Sequence, residues 1–257
     1  MKRNILILSI ITIWVFITSI TYYSCRSSRV PLNLTADTIY TNIEGEGNLL
    51  EILFRKGTEH NHPLMAIWIE DTNGTYIQTL YVAESIAKGV YGYSDNSTGK
   101  WMPGPIRRPA ALPVWAHSRG VKEADGLYIP TQKTPIPDAY TGPTPPGNFI
   151  LFARTDRDLP ERFFVFFEIN QTWDWNEYWT NNKFPDDDEY KTSCQPALVY
   201  RVLLEKDQRN SSSEFELIGH SHFNGKDGEI YPDISTITTA KNITESLSVR
   251  IIYQDEK

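Results

Sequence analysis

The 257-residue chain carries 25 Lys and Arg against 32 Asp and Glu, a formal charge of −7, with 40% apolar and 22% charged residues. That balance fits a globular protein, and an acidic chain without a basic stripe lacks the electrostatic footprint of a nucleic-acid binder. Only two cysteines occur, Cys25 and Cys194, so the fold must stand on its core and not on disulfide staples.

The first element is an export segment. Lys2 and Arg3 precede an apolar run over residues 5–20, and no charge returns until Arg26. A positive start before an apolar stretch reads as a signal segment. Residues 4–24 are also nearly long enough to cross a bilayer as a helix. Two fates stay open. Ser24 and Cys25 form a bacterial lipoprotein junction with lipid on Cys25, or the segment persists as a single-span anchor. Either fate places the rest of the chain outside the cytoplasm, attached to a membrane through its N-terminus.

Residues 26–47 read as a tether and first-strand region, and residues 48–257 as one β-sandwich domain. Residues 48–54 and 64–69 are apolar runs rich in β-formers, split by a polar turn at 57–62. Asp71-Thr-Asn-Gly74 then links residues 67–69 to 76–82 as a hairpin, the Asn-Gly pair supplying the positive φ angles of a tight turn. Strict alternation in its second arm sends Tyr76, Gln78 and Leu80 one way and Ile77, Thr79 and Tyr81 the other. Prolines crowd residues 99–147 and remove backbone donors. The Trp and Leu content of this stretch points to an ordered insert with few regular elements, and residues 110–118 form a short helix or an ordered turn. Strands resume at 148–153, 163–169, 197–204 and 215–219. The last covers 247–253, with Leu247, Val249, Ile251 and Tyr253 on one face. The expected fold is mainly β: two antiparallel sheets in an immunoglobulin-like sandwich, carrying a Pro-rich ordered insert and preceded by the N-terminal membrane or signal helix.

Chemistry-bearing residues are sparse. His60/His62 and His220/His222 form two His-x-His pairs. Such a pair on a strand could offer two imidazoles to one metal, with His117 or Asp233 as third ligand; as turn neighbours they read instead as polar loop histidines. Trp173, Trp175, Tyr178 and Trp179 fall within seven residues. They suit either a platform for sugar rings or a plug closing one end of the sandwich. Asp186-Asp-Asp-Glu189 lacks the spacing of a calcium loop and reads as a solvated acidic turn. No nucleophile elbow, phosphate loop or dinucleotide fingerprint occurs, so catalysis is not expected.

The segment Asp138-Ala-Tyr-Thr141-Gly142-Pro143-Thr144 resembles the signature of exported proteins that carry FMN on the final hydroxyl by a phosphodiester bond. The resemblance implies Asp138, Thr141, Gly142 and Thr144 as cofactor-binding residues, with Gly142 permitting a tight turn that exposes Thr144. Pro143 departs from the pattern, which has Ala there. Taken without the resemblance, the segment is a Pro/Gly turn leading into the next strand. More widely, Trp68-Ile-Glu-Asp71, Leu112-Pro-Val-Trp115, residues 166–179, Gln195-Pro-Ala-Leu-Val-Tyr200 and Gly219-His-Ser-His222 are similar to a bacterial periplasmic family of unknown function. Its members often accompany flavin transferases and PepSY-type membrane proteins. The resemblance implies an accessory or binding module in an envelope redox or flavin-handling system, with a covalent FMN carrier and a carbohydrate-binding module as rivals.

Overall fold

A computed structural model describes residues 35–208 and 211–253. The signal or anchor segment, Cys25 and the tether up to residue 34 lie outside the described residues. Among the described residues, no helix is long and apolar enough to cross a membrane.

The chain is mainly β. A five-stranded sheet has the order β1 (Asp37–Thr41), β8 (Phe149–Arg154), β2 (Leu49–Lys56), β13 (Thr244–Ile252), β11 (Ser213–Glu214). A six-stranded sheet has the order β12 (Glu216–His220), β10 (Leu198–Glu205), β9 (Arg162–Asn170), β3 (Leu64–Asp71), β4 (Tyr76–Ala83), β7 (Thr141–Gly142). A separate hairpin pairs β5 (Val90–Asp95) with β6 (Met102–Pro105). Three short helices, α1 (Glu84–Lys88), α2 (Pro113–Ser118) and α3 (Asp188–Ser193), lie between strands.

Both sheets contribute to one apolar cluster. Leu50, Ile52, Phe54, Phe149 and Val249 from the first meet Ile67, Val165, Phe167 and Val202 from the second. Phe54 stacks on Phe149 at 4.9 Å and tilts against Phe167 at 5.9 Å. As the alternation predicts, Leu247, Val249 and Ile251 lie in this core with Tyr253 packed against it.

Two expectations need correction. The sheets are mixed, not fully antiparallel: β1 pairs parallel with β8, and β4 with β7. Each parallel partner returns after a long excursion, which is the connection that parallel pairing requires. Alternation also fails in β4, because its register against β3 slips twice, leaving Leu80 and Ile77 without partners on that strand. Such bulges rotate the residues beyond them. Leu80 and Tyr81 therefore both enter the core, while Tyr76 and Thr79 share the opposite face through a 2.7 Å hydroxyl–hydroxyl hydrogen bond. The Pro-rich stretch has few regular elements, as expected: β6, α2, one 3₁₀ turn and β7, with α2 inside residues 110–118.

The insert forms a third layer. Leu112, Val114 and Trp115 pack with Ala66, Trp68, Phe166 and Val199, which face away from the common core, in a second apolar cluster. Helix α2 has no capping side chain of its own. The fully buried Glu168 of β9 takes that role, accepting hydrogen bonds from the Val114 and Trp115 amides at 3.1 and 2.8 Å. These amides begin a helix and have no carbonyl partner within it. A buried carboxyl group from the sheet thus holds the insert in place, and burial pushes its pKa up to about 8.

Candidate functional site

The aromatic segment between β9 and α3 is the most developed site. Trp173 enters it with φ +63°, a left-handed value uncommon for a bulky residue. Asn176 then organises the loop. Its Oδ1 accepts from the Tyr178 and Trp179 amides at 2.9 and 2.7 Å, and its Nδ2 donates to the Thr236 carbonyl at 2.9 Å and Thr238 Oγ1 at 2.8 Å. Buried Gln195 completes the base: Oε1 accepts from the Thr238 amide at 2.8 Å, and Nε2 donates to Thr239 Oγ1 and to the Asp174 carbonyl.

On this base the aromatic residues divide. Trp179 is buried, donates Nε1 to Thr236 Oγ1 at 3.1 Å, and packs on Tyr190 and Phe223. It is the plug. Trp173, Trp175 and Tyr178 are instead 65, 50 and 51% exposed. The Lys183 ammonium sits 3.1 Å from the Tyr178 ring centre and donates to the Tyr178 carbonyl at 3.0 Å, fixing that ring. One ring of the cluster is thus buried and three are presented to solvent. Neither Asn176 nor Lys183 was singled out by the sequence, although an Asn inside a Trp-rich run marks a residue able to satisfy backbone groups from both sides.

Beneath the loop lie Asp174 and Cys194. Burial pushes Asp174 up to about 7; one carboxyl oxygen accepts from the Gln195 amide at 3.3 Å and the other is sealed without a partner. Cys194 is buried with φ +61°, and burial, with the nearby Asp174, pushes its thiol up to about 11. A thiol that stays protonated and enclosed at neutral pH is a poor nucleophile.

The FMN-like segment runs along the edge of the six-stranded sheet. Asp138 lies in a single 3₁₀ turn, exposed and paired with Lys88 at 3.1 Å. Thr141 and Gly142 form β7, and half-buried Thr144 lines a 350 Å³ pocket with Lys88 and Glu84. Gly142 makes no tight turn, against expectation. It lies in a strand, where an added Cβ would stand 2.9 Å from the Tyr81 ring, and the Tyr81 hydroxyl donates to the Pro143 carbonyl at 2.7 Å.

The histidines do not converge. Among the described residues, no group of three or more His, Cys, Asp or Glu could hold a metal ion. His60 and His62 occupy the turn after β2, where His60 packs on Phe54. His220 ends β12, donates to the Ser221 carbonyl at 2.7 Å and stacks on Tyr231, while His222 is buried. His117 donates to the Pro113 carbonyl at 2.8 Å and lies against Tyr128, and Asp233 caps the Ser235 amide. The acidic run is not a plain loop: Asp187 caps α3 through the Tyr190 amide at 3.0 Å and Asp188 and Glu189 fill its first turn, which favours negative charge.

No family model, no curated protein and no solved structure matches this chain.

Proposed function

We propose that the protein is an exported, membrane-anchored β-sandwich acting as a non-catalytic accessory or binding module in an envelope redox or flavin-handling system, with the aromatic loop as its contact surface. The export segment and the family resemblance support the setting. One observation carries the contact surface: Trp173, Trp175 and Tyr178 are at least half exposed on a backbone held by Asn176 and Gln195. Leaving that much aromatic surface in water is unfavourable unless a partner covers it. Aromatic faces beside polar edges suit the rings of a carbohydrate. Electrophoresis through gels containing soluble glucan or xylan tests this, with retardation expected for the native protein and lost in the Trp173→Ala, Trp175→Ala double variant. Retardation that survives both substitutions, or none in the native protein, removes the loop as a sugar platform.

A second reading is a covalent FMN carrier on Thr144, favoured by the position of that residue in a pocket beside Lys88. Co-expression with a flavin transferase followed by in-gel flavin fluorescence decides it. A band that disappears in Thr144→Ala supports the carrier, and no band rejects it.

A further inference from the structure

The bulges of β4 and the insert together form a groove remote in sequence from the aromatic loop. Its volume is 300 Å³, and its walls include Tyr76, Thr79, Val121, Ile136, Tyr140 and Arg119. This is the lower end of the range for small-molecule pockets. Most of its polar groups are already engaged with one another. Thr79 Oγ1 accepts from Trp115 Nε1 at 2.9 Å and shares its hydrogen bond with Tyr76. The Tyr140 hydroxyl donates to Asp156, whose same oxygen accepts from Asn42.

Arg119 stands apart. Its guanidinium lies over the Trp115 ring at 5.1 Å, half-buried, with Nη1 sealed from solvent and without a hydrogen-bond acceptor. None of the ion pairs among the described residues includes it. The groups that act on its charge are the Tyr76 hydroxyl and, after it, Glu123, which accepts from Thr134. A guanidinium keeps its charge when desolvated, and an uncompensated, partly buried charge is costly. The groove thus joins a guanidinium without an ion-pair partner to largely apolar walls, and the one carboxylate that also lines it, Asp156, is engaged by the Tyr140 hydroxyl and Asn42.

We propose that this groove binds a small organic carboxylate with a flat apolar body, the carboxylate meeting Arg119 and the body lying between the walls of Tyr76, Ile136 and Tyr140. Guanidinium–carboxylate pairing gives charge-assisted hydrogen bonds of the strong kind. The low-dielectric walls raise the value of that pair above its value in water.

Isothermal titration with benzoate, using benzyl alcohol as the uncharged counterpart, tests the proposal on the chain lacking residues 1–25 and on the full chain in detergent. Saturable benzoate binding is expected, at least about tenfold tighter than benzyl alcohol, and weakened about tenfold or more in Arg119→Gln. Val121→Trp, a change at a 47% exposed position lining the groove, should block the groove without removing the Arg119 guanidinium. Binding that is absent from the native protein, equal for the alcohol, or unaffected by both variants overturns the assignment.

Discussion

The two large sheets solve the same packing problem with different sequence grammars. In the five-stranded sheet β2 and β8 alternate buried and half-buried residues along their lengths, as strands with one face toward water do. In the six-stranded sheet β3 is buried from Leu64 to Glu70 and β9 over most of its length, because the insert covers the face opposite the core. Continuous apolar strands are the signature of a sheet covered on both sides. The second sheet is therefore a middle layer, and its polar residues are enclosed rather than solvated: Glu70 accepts from Trp68 Nε1 and from Ser118, and Glu168 from α2.

If the six-stranded sheet is a middle layer, truncation on its outer face must cost as much as truncation in the shared core. Trp68→Ala, beneath the insert, and Phe167→Ala, between the sheets, are each expected to lose about 3–5 kcal/mol in urea unfolding. A loss below about 1 kcal/mol for Trp68→Ala would mean the insert is a loose flap.

The next effect concerns pH. In the folded protein the Glu168 pKa lies well above its ordinary value of 4.5, at about 8. Between those values the folded state holds a proton that the unfolded state has released, so stability falls as pH rises through this window and levels off above it. The slope from this one group approaches 1.4 kcal/mol per pH unit. Glu168→Gln should remove this slope, so that the two proteins' unfolding free energies diverge in their pH dependence from pH 5 to 8; parallel curves would mean the carboxyl is not desolvated.

Smaller effects sharpen the picture at the edges. Gly142→Ala pushes a methyl toward the Tyr81 ring and is expected to cost about 1–3 kcal/mol by overpacking. On the exposed side, Trp173→Ala should stay within about 0.5 kcal/mol of the native protein. A large loss in Trp173→Ala would identify that indole as structural support.

Much of this was legible. The period-2 pattern of Leu247, Val249 and Ile251 located a core strand, and Asn73-Gly74 located a hairpin whose Gly74 takes φ +82°. The missed features have physical reasons. Alternation cannot foresee a bulge, so Tyr76 and Thr79 were put on opposite faces. A signal that went unread is the apolar run of β3 together with β9, where Glu168 is the one charge within Phe163-Phe-Val-Phe-Phe-Glu-Ile169; both patterns fit strands covered on two faces. The site was harder to read, since composition shows that Trp173 and Trp179 are neighbours but not that one is buried and the other presented.

The parallel pairing of β1 has a mechanical consequence. The chain joins the fold at Asp37 through five consecutive registered positions, from Asp37 against Phe149 to Thr41 against Ala153. Tension arriving from the N-terminal side along the strand axis loads these rungs in shear, all at once, instead of peeling them singly. A domain tethered at that end is therefore gripped where it is pulled, and its lifetime under load is set by the simultaneous rupture of one short ladder.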